Sequence, residues 1–202
     1  MYVTLSLLAI GLSTGQAVLA SDGSPSRIVD TVSVEAGTRA LGFAPAVSGP
    51  VVSVGAGHTL GEGRWGARHL TASLGGYRQP GFASGGLVDV AWKQRWTARW
   101  GGGAELGAAV GAQSHRVPGV VYAPGEDGTL EATRAPVHAG ATLGLRAGLG
   151  WGPQGTQRPT RVWLRYAQDV VVPFMPHNDV PVMGTTHLTA GITTAMGKAG
   201  VR

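Results

Sequence analysis

From Val88 to Trp100 the side chains alternate with a period of two. Val88, Val90, Trp92, Trp96, Ala98 and Trp100 fall on one parity, broken only by Gln94, while Asp89, Lys93, Arg95, Thr97 and Arg99 share the other with Ala91. Successive side chains of a β-strand point to opposite faces, so this segment has one apolar and one polar face. Val137 to Trp151 repeats the pattern. Val137, Ala139, Ala141, Leu143, Leu145, Ala147, Leu149 and Trp151 alternate with His138, Gly140, Thr142, Gly144, Arg146, Gly148 and Gly150. A helix has the wrong period for this and loses about 1 kcal/mol at each Gly. Ala104 to Gln113 and Thr186 to Met196 alternate in the same way. The whole pattern predicts eight strands, near 31–42, 51–59, 65–76, 87–99, 104–115, 136–151, 161–172 and 185–196.

Composition agrees. The 202 residues include 34 Gly and 12 Pro, close to twice the roughly 12% that the two contribute on average. That richness argues against a helical bundle, and the glycines lack the period of three that collagen needs. With 43% hydrophobic and only 13% charged residues, the chain also lacks the signature of disorder.

The connections alternate too. Odd-numbered ones are expected to be long and even-numbered ones short, Trp100-Gly101-Gly102-Gly103 being the tightest. The longest spans 116–135, and Tyr122 to Leu130 can extend it as a hairpin around Pro124-Gly125-Glu126-Asp127-Gly128. A sheet elaborated at one end and trimmed at the other matches a membrane barrel with short periplasmic turns and long outer loops. Ahead of the strands, Val3 to Leu19 is uncharged and largely apolar, and Val18-Leu19-Ala20 reads as a small-residue cleavage site. No Lys or Arg precedes it, unlike most secretory signals. The expected organisation is a signal peptide at 1–20, a linker at 21–30, a barrel at 31–196 and a tail at 197–202.

Alternation alone allows two barrels, one with its apolar row inside and one with it outside. A soluble barrel would crowd its polar row with Lys and Glu. Here that row is largely Gly, Ala, Thr, Ser and His with scattered charges, which suits the narrow interior of an eight-stranded barrel. Trp65, Tyr77, Trp100, Trp151 and Tyr166 are expected near strand ends, as an interfacial aromatic girdle. In these respects residues 31–196 resemble the small bacterial outer-membrane β-barrel proteins. The resemblance implies an all-β fold: an eight-stranded antiparallel up-and-down transmembrane β-barrel in the bacterial outer membrane. Those proteins usually close the last strand on an aromatic residue, whereas this chain ends Ala195-Met196-Gly197-Lys198-Ala199-Gly200-Val201-Arg202.

The charges expected inside are Asp89, Lys93, Arg95, Glu105, Arg146, Arg161, Arg165 and Asp169. They must pair there, because an unpaired buried charge is costly. There is no Cys, which removes thiol chemistry and Cys-ligated metal. His58, His69, His115, His138, His177 and His187 form no metal motif, and His177-Asn178-Asp179 is expected to be a polar loop. Adjacent Ser114 and His115 point to opposite faces of a strand, and Ser73 lies about 13 Å along a strand from His69, so neither pair makes a nucleophile. Two Lys and no basic run leave nucleic-acid binding without a footprint, despite a net charge of +5. Arg78, Arg116 and Arg134 fall in expected outer loops, where lipopolysaccharide phosphates are conceivable partners. The favoured reading is a monomeric, non-enzymatic platform presenting extracellular loops, with outer-membrane lipid as its partner and no cofactor. An exported soluble barrel binding a small apolar ligand, and a lipid-modifying outer-membrane enzyme, remain as alternatives.

Overall fold

The computed structural model describes residues 29–42, 48–64, 66–117, 119–124, 129–134, 137–153, 160–173 and 182–196. Eight long strands form a closed barrel: β1 (Thr31–Leu41), β2 (Ser48–Gly63), β3 (Gly66–Gln79), β4 (Ala83–Thr97), β5 (Gly102–Arg116), β8 (Val137–Trp151), β9 (Thr160–Val172) and β10 (Met183–Ala195). Between β5 and β8, a separate hairpin pairs β6 (Val120–Pro124) with β7 (Leu130–Arg134), as the turn residues suggested. Each barrel strand pairs antiparallel with the next in sequence, and β1 closes on β10 from Thr31↔Ala195 to Leu41↔Thr185. Closure leaves the barrel itself without an edge strand. The seam is extended by a hydrogen bond from Met196 N to Asp30 O (2.7 Å), and Asp30 N donates on the other side to Gly57 O of β2 (2.8 Å). The signal-peptide segment, most of the linker and the tail lie outside the described residues, as does Trp65.

Two ends follow from this order. The loop end carries connections 42–47, 80–82, 117–136 and 173–182; the terminal end carries Asp30, Met196 and connections 64–65, 98–101 and 152–159. The alternation of long and short connections holds less strictly than the sequence implied. β3 and β4 run on to Gln79 and from Ala83, leaving only residues 80–82 between them. That turn is tight because Phe82 N donates to Gln79 O (3.0 Å) and Gly81 takes a left-handed φ of 75° that other residues rarely adopt. β2 also starts at Ser48 rather than 51 and extends to Gly63, with a register shift between Thr59 and Gly61 that marks a bulge at Leu60.

The wall separates two chemistries. Val54, Leu74, Val90, Val110, Leu143, Leu145, Leu164, Leu188 and Ile192 are exposed on its outer face, Leu145 at 68%. Apolar positions thus ring all eight strands, far beyond the few hundred Å² of a monomer's usual apolar patch. Buried positions are mostly polar or charged, including Arg39, Gln79, Glu105, Gln113, His115, Arg165 and Asp169. A small apolar cluster of Val51, Tyr77 and Ala83, with Phe82 and Leu87 against it, fills the lumen towards the loop end.

Candidate functional site

The inward face of β8 is nearly bare, and that bareness positions the charges. A Cβ built on Gly144 would lie 1.8 Å from Asp169 Oδ1, and one on Gly148 would lie 2.9 Å from the Glu105 side chain. Glycine at these places lets side chains from β5 and β9 lie across β8. Two charged clusters result.

The first is centred on Arg146. Its guanidinium donates to Asp169 Oδ1 (2.5 Å) on β9 and to Asp89 Oδ2 (3.1 Å) on β4. Ser73 donates to the second oxygen of Asp89 (2.7 Å), and His187 Nε2 stands 3.6 Å from Asp169. Above it towards the loop end lies Arg39, fully buried. It donates to His187 Nε2 (3.1 Å), Gln113 Oε1 (2.5 Å) and Gln79 Oε1 (3.4 Å), and its guanidinium lies 3.8 Å from the Tyr77 ring centroid. Planar stacking of this kind favours Arg over Lys.

The second cluster gathers on Glu105, which is 1% exposed. Arg165 Nε (2.6 Å) and Arg95 Nη2 (3.0 Å) donate to its two oxygens, and Lys93 Nζ stands 3.8 Å away. Arg165 also pairs with Glu35, which accepts from Thr189 Oγ1 (3.0 Å). Trp163, 1% exposed, lies between Arg95 and Arg165, with guanidinium carbons 4.7 and 5.1 Å from its ring centroid. Between the clusters is a cavity of about 60 Å³ with a mixed lining, in which Ser53, Thr71, Ser73 and members of both clusters meet Val51 and Leu87.

Of the residues expected inside, Asp89, Lys93, Arg95, Glu105, Arg146, Arg165 and Asp169 make these contacts, and Arg161 lies on the same face at the terminal end. Glu35, Arg39, His69, Trp163 and His187 share the lumen but were not among the expected set. For Glu35 and Arg39 the signal was present in the parity of Ser33, Glu35, Gly37 and Arg39 against Val32, Val34, Ala36 and Thr38. The expected aromatic girdle needs correction. Tyr77 is 6% exposed and points inward, because its parity on β3 is that of His69 and Ser73; its hydroxyl donates to Ser114 O (3.2 Å). Tyr166 is outward but stands at mid-strand, donating to Gln168 (2.7 Å). Trp100 and Trp151 are exposed at the terminal end, next to each other across Gly102. Trp96, Ala104, Leu106, Leu149, Leu164 and Tyr166 border a shallow apolar groove on the outer wall.

The serines are engaged elsewhere than with histidine. Ser73 donates to Asp89, and Ser114 Oγ accepts from Gly86 N (3.1 Å). His115 stacks on His138 with ring centroids 5.3 Å apart. Among the described residues no group of three potential metal ligands converges.

With this geometry in place, comparison with known proteins supports the fold. The crystal structure of Neisserial surface protein A superposes with a TM-score of 0.60 at 12% identity, covering 81% of this chain and 94% of that one. The chain shares that protein's eight-stranded barrel fold. The N-terminal β-barrel domain of Pseudomonas aeruginosa OprF matches with a TM-score of 0.42 at 15% identity, over 83% of this chain and 98% of that one. No family model and no curated protein matches the sequence.

Proposed function

We propose that this chain is a non-enzymatic β-barrel of the bacterial outer membrane that displays its loop end to the outside. One observation carries the reading: apolar side chains ring the outside of a barrel whose inside is charged. In water that arrangement exposes Leu, Val and Ile on every strand and buries a dozen polar or charged side chains. In a bilayer the same arrangement satisfies both solvents, since a closed barrel pairs all its backbone groups and meets lipid with an apolar band. A soluble barrel holding an apolar ligand fits poorly, because the interior cavity is only about 60 Å³ and is bordered by Glu35, Asp89, Lys93, Arg146 and Arg165. The neighbour's description as a surface protein accords with the proposed location.

Outer-leaflet lipid is the proposed partner at the loop end. Arg78 on β3 and Arg116 on β5 both register with Ser84 of β4, from opposite sides, and both are exposed on the outer face. Neighbouring strands are about 4.8 Å apart, so the two guanidinium stems stand roughly 10 Å apart, a span that suits lipid phosphates. The test is fractionation of cells expressing the full chain, followed by gels of boiled and unboiled samples. The reading predicts a product confined to outer membranes whose mobility shifts on boiling. A soluble periplasmic product with no shift would contradict it.

A further inference from the structure

The apolar outer wall has a hollow in it. In one row of outward side chains, Ala104 stands between Trp96 of β4 and Leu149 of β8. In the next row towards the loop end, Ala147 stands between Leu106 of β5 and Tyr166 of β9. The two alanines are diagonal neighbours on adjacent strands, so the larger side chains wall a trough floored by methyl groups. Its volume is about 410 Å³, within the range of small-ligand sites. It starts one row inside the terminal rim at Gly102 and Trp151, and Leu106 lies four residues along β5 from that rim, or about 14 Å.

The mouth of the trough has a different chemistry. The turn joining β4 to β5 is closed by Ala98 N on Gly102 O (2.8 Å) and by Gly101 N on Ala98 O (3.0 Å). It presents Arg99 and Trp100, both exposed, with Trp151 beside them. No ion pair among the described residues engages Arg99. Connections 98–101 and 152–159 contain no Asp or Glu. The carboxylates of this rim are Asp30, ahead of β1, and Glu62 on β2. In barrel order β2 lies four strands from β8 in either direction, so Glu62 is across the barrel from the trough. An unshielded cation and two interfacial indoles thus stand at the end of an uncharged trough. That is the complement of a phosphate with an acyl chain attached.

We propose that this trough holds an acyl chain of one inner-leaflet glycerophospholipid, its phosphate on Arg99 and its glycerol region beside Trp100 and Trp151. The assignment rests on the outer-membrane reading, which turns the terminal end to the periplasm and to the phospholipid leaflet. A second copy suits the face less well: a two-fold dimer through it would bring the two Arg99 side chains towards each other.

The test uses the full chain folded in a mild non-ionic detergent and titrated with phosphatidylglycerol, the lipid retained per barrel being read by native mass spectrometry. One molecule should be retained per barrel, along a saturating curve. Ala147→Phe and Ala104→Leu, which fill the trough with apolar groups, should each weaken retention roughly tenfold, the worth of about two buried methylenes. Ala141→Phe, outward on β8 towards the loop end, should leave it unchanged. Arg99→Gln should weaken phosphatidylglycerol several-fold and leave dioleoylglycerol, which lacks the phosphate, unaffected. No retained lipid, undiminished retention in both filled variants, or an equal loss in Ala141→Phe would overturn the proposal. So would displacement by lipopolysaccharide, or a wild-type dimer that Ala147→Phe breaks, which would give the trough to a second copy. Failure of the outer-membrane reading shows separately, as a soluble periplasmic product without a heat shift, whereas a heat-shifting membrane barrel that retains no phospholipid refutes the site alone.

Discussion

Replacing Arg146 by Met removes the cation that joins β8 to both β4 and β9. The side chains of Arg146, Asp89 and Asp169 are 14, 16 and 7% exposed. Breaking a buried ion pair by removing one partner typically costs about 3–5 kcal/mol, because the other charge is left unpaired in a poor solvent. Here two carboxylates are orphaned, though unequally. Asp89 keeps its 2.7 Å hydrogen bond from Ser73, whereas Asp169 keeps only His187 at 3.6 Å. Asp169 therefore dominates, and the expected loss stays at about 3–5 kcal/mol rather than twice that. At about 1.4 kcal/mol per tenfold, this weakens the folding equilibrium by roughly two to four powers of ten. The assay is urea unfolding in lipid vesicles, followed by intrinsic fluorescence. The triple variant Asp89→Asn, Arg146→Met, Asp169→Asn removes the charges together and should recover much of the loss, since uncharged replacements of a buried ion cluster are often near neutral. A single variant that loses under about 1 kcal/mol, as an exposed pair would, or a triple variant no more stable than the single one, would refute the reasoning.

Three further outcomes follow from the same geometry. Gly144→Ala should destabilise the barrel and should still do so in the Arg146→Met background, because the new Cβ meets the Gln168 backbone oxygen at 2.5 Å as well as Asp169 Oδ1; urea midpoints of the single and double variants decide this. Leu145→Arg should cost about 2–4 kcal/mol in vesicles, as charge does on the lipid face near mid-bilayer, and an unchanged stability would place that face in water. The pair Arg78→Glu and Arg116→Glu should lower the lipopolysaccharide that copurifies with the protein. Arg68→Glu, on the same strand towards the terminal end, should leave it unchanged.

The fold was legible because period-two alternation is a local signal that each strand carries by itself. Val88 to Trp100 needs no knowledge of its neighbours to show two faces. Strand ends were less legible where both faces lose contrast. Ser84, Gly85 and Gly86 belong to β4, yet their composition reads as a turn. Tyr77 was misplaced for a different reason: Gly75 and Gly76 precede it and blur the parity that would have set it inward. Lumen membership could be read from parity, but pairing could not. Arg146 reaches Asp89 across a sequence separation of 57, and Arg165 reaches Glu35 across 130. Those partners depend on registers around a closed barrel, to which every strand contributes. The bareness of β8 was visible as Gly140, Gly144, Gly148 and Gly150, but its role in admitting side chains from β5 and β9 emerges only with the register known.

The central claim is that the apolar face meets lipid and the charged face does not. Because the chain has no Cys, a single introduced one is a unique thiol for a fluorophore. Leu143→Cys, Leu145→Cys, Val110→Cys and Val90→Cys, all outward, should be quenched by bromine-labelled lipid acyl chains and shielded from a water-soluble quencher. Thr142→Cys, the inward neighbour of Leu143, should escape the lipid quencher. Outward positions quenched only from water, with Thr142→Cys behaving alike, would show that this wall does not face a bilayer.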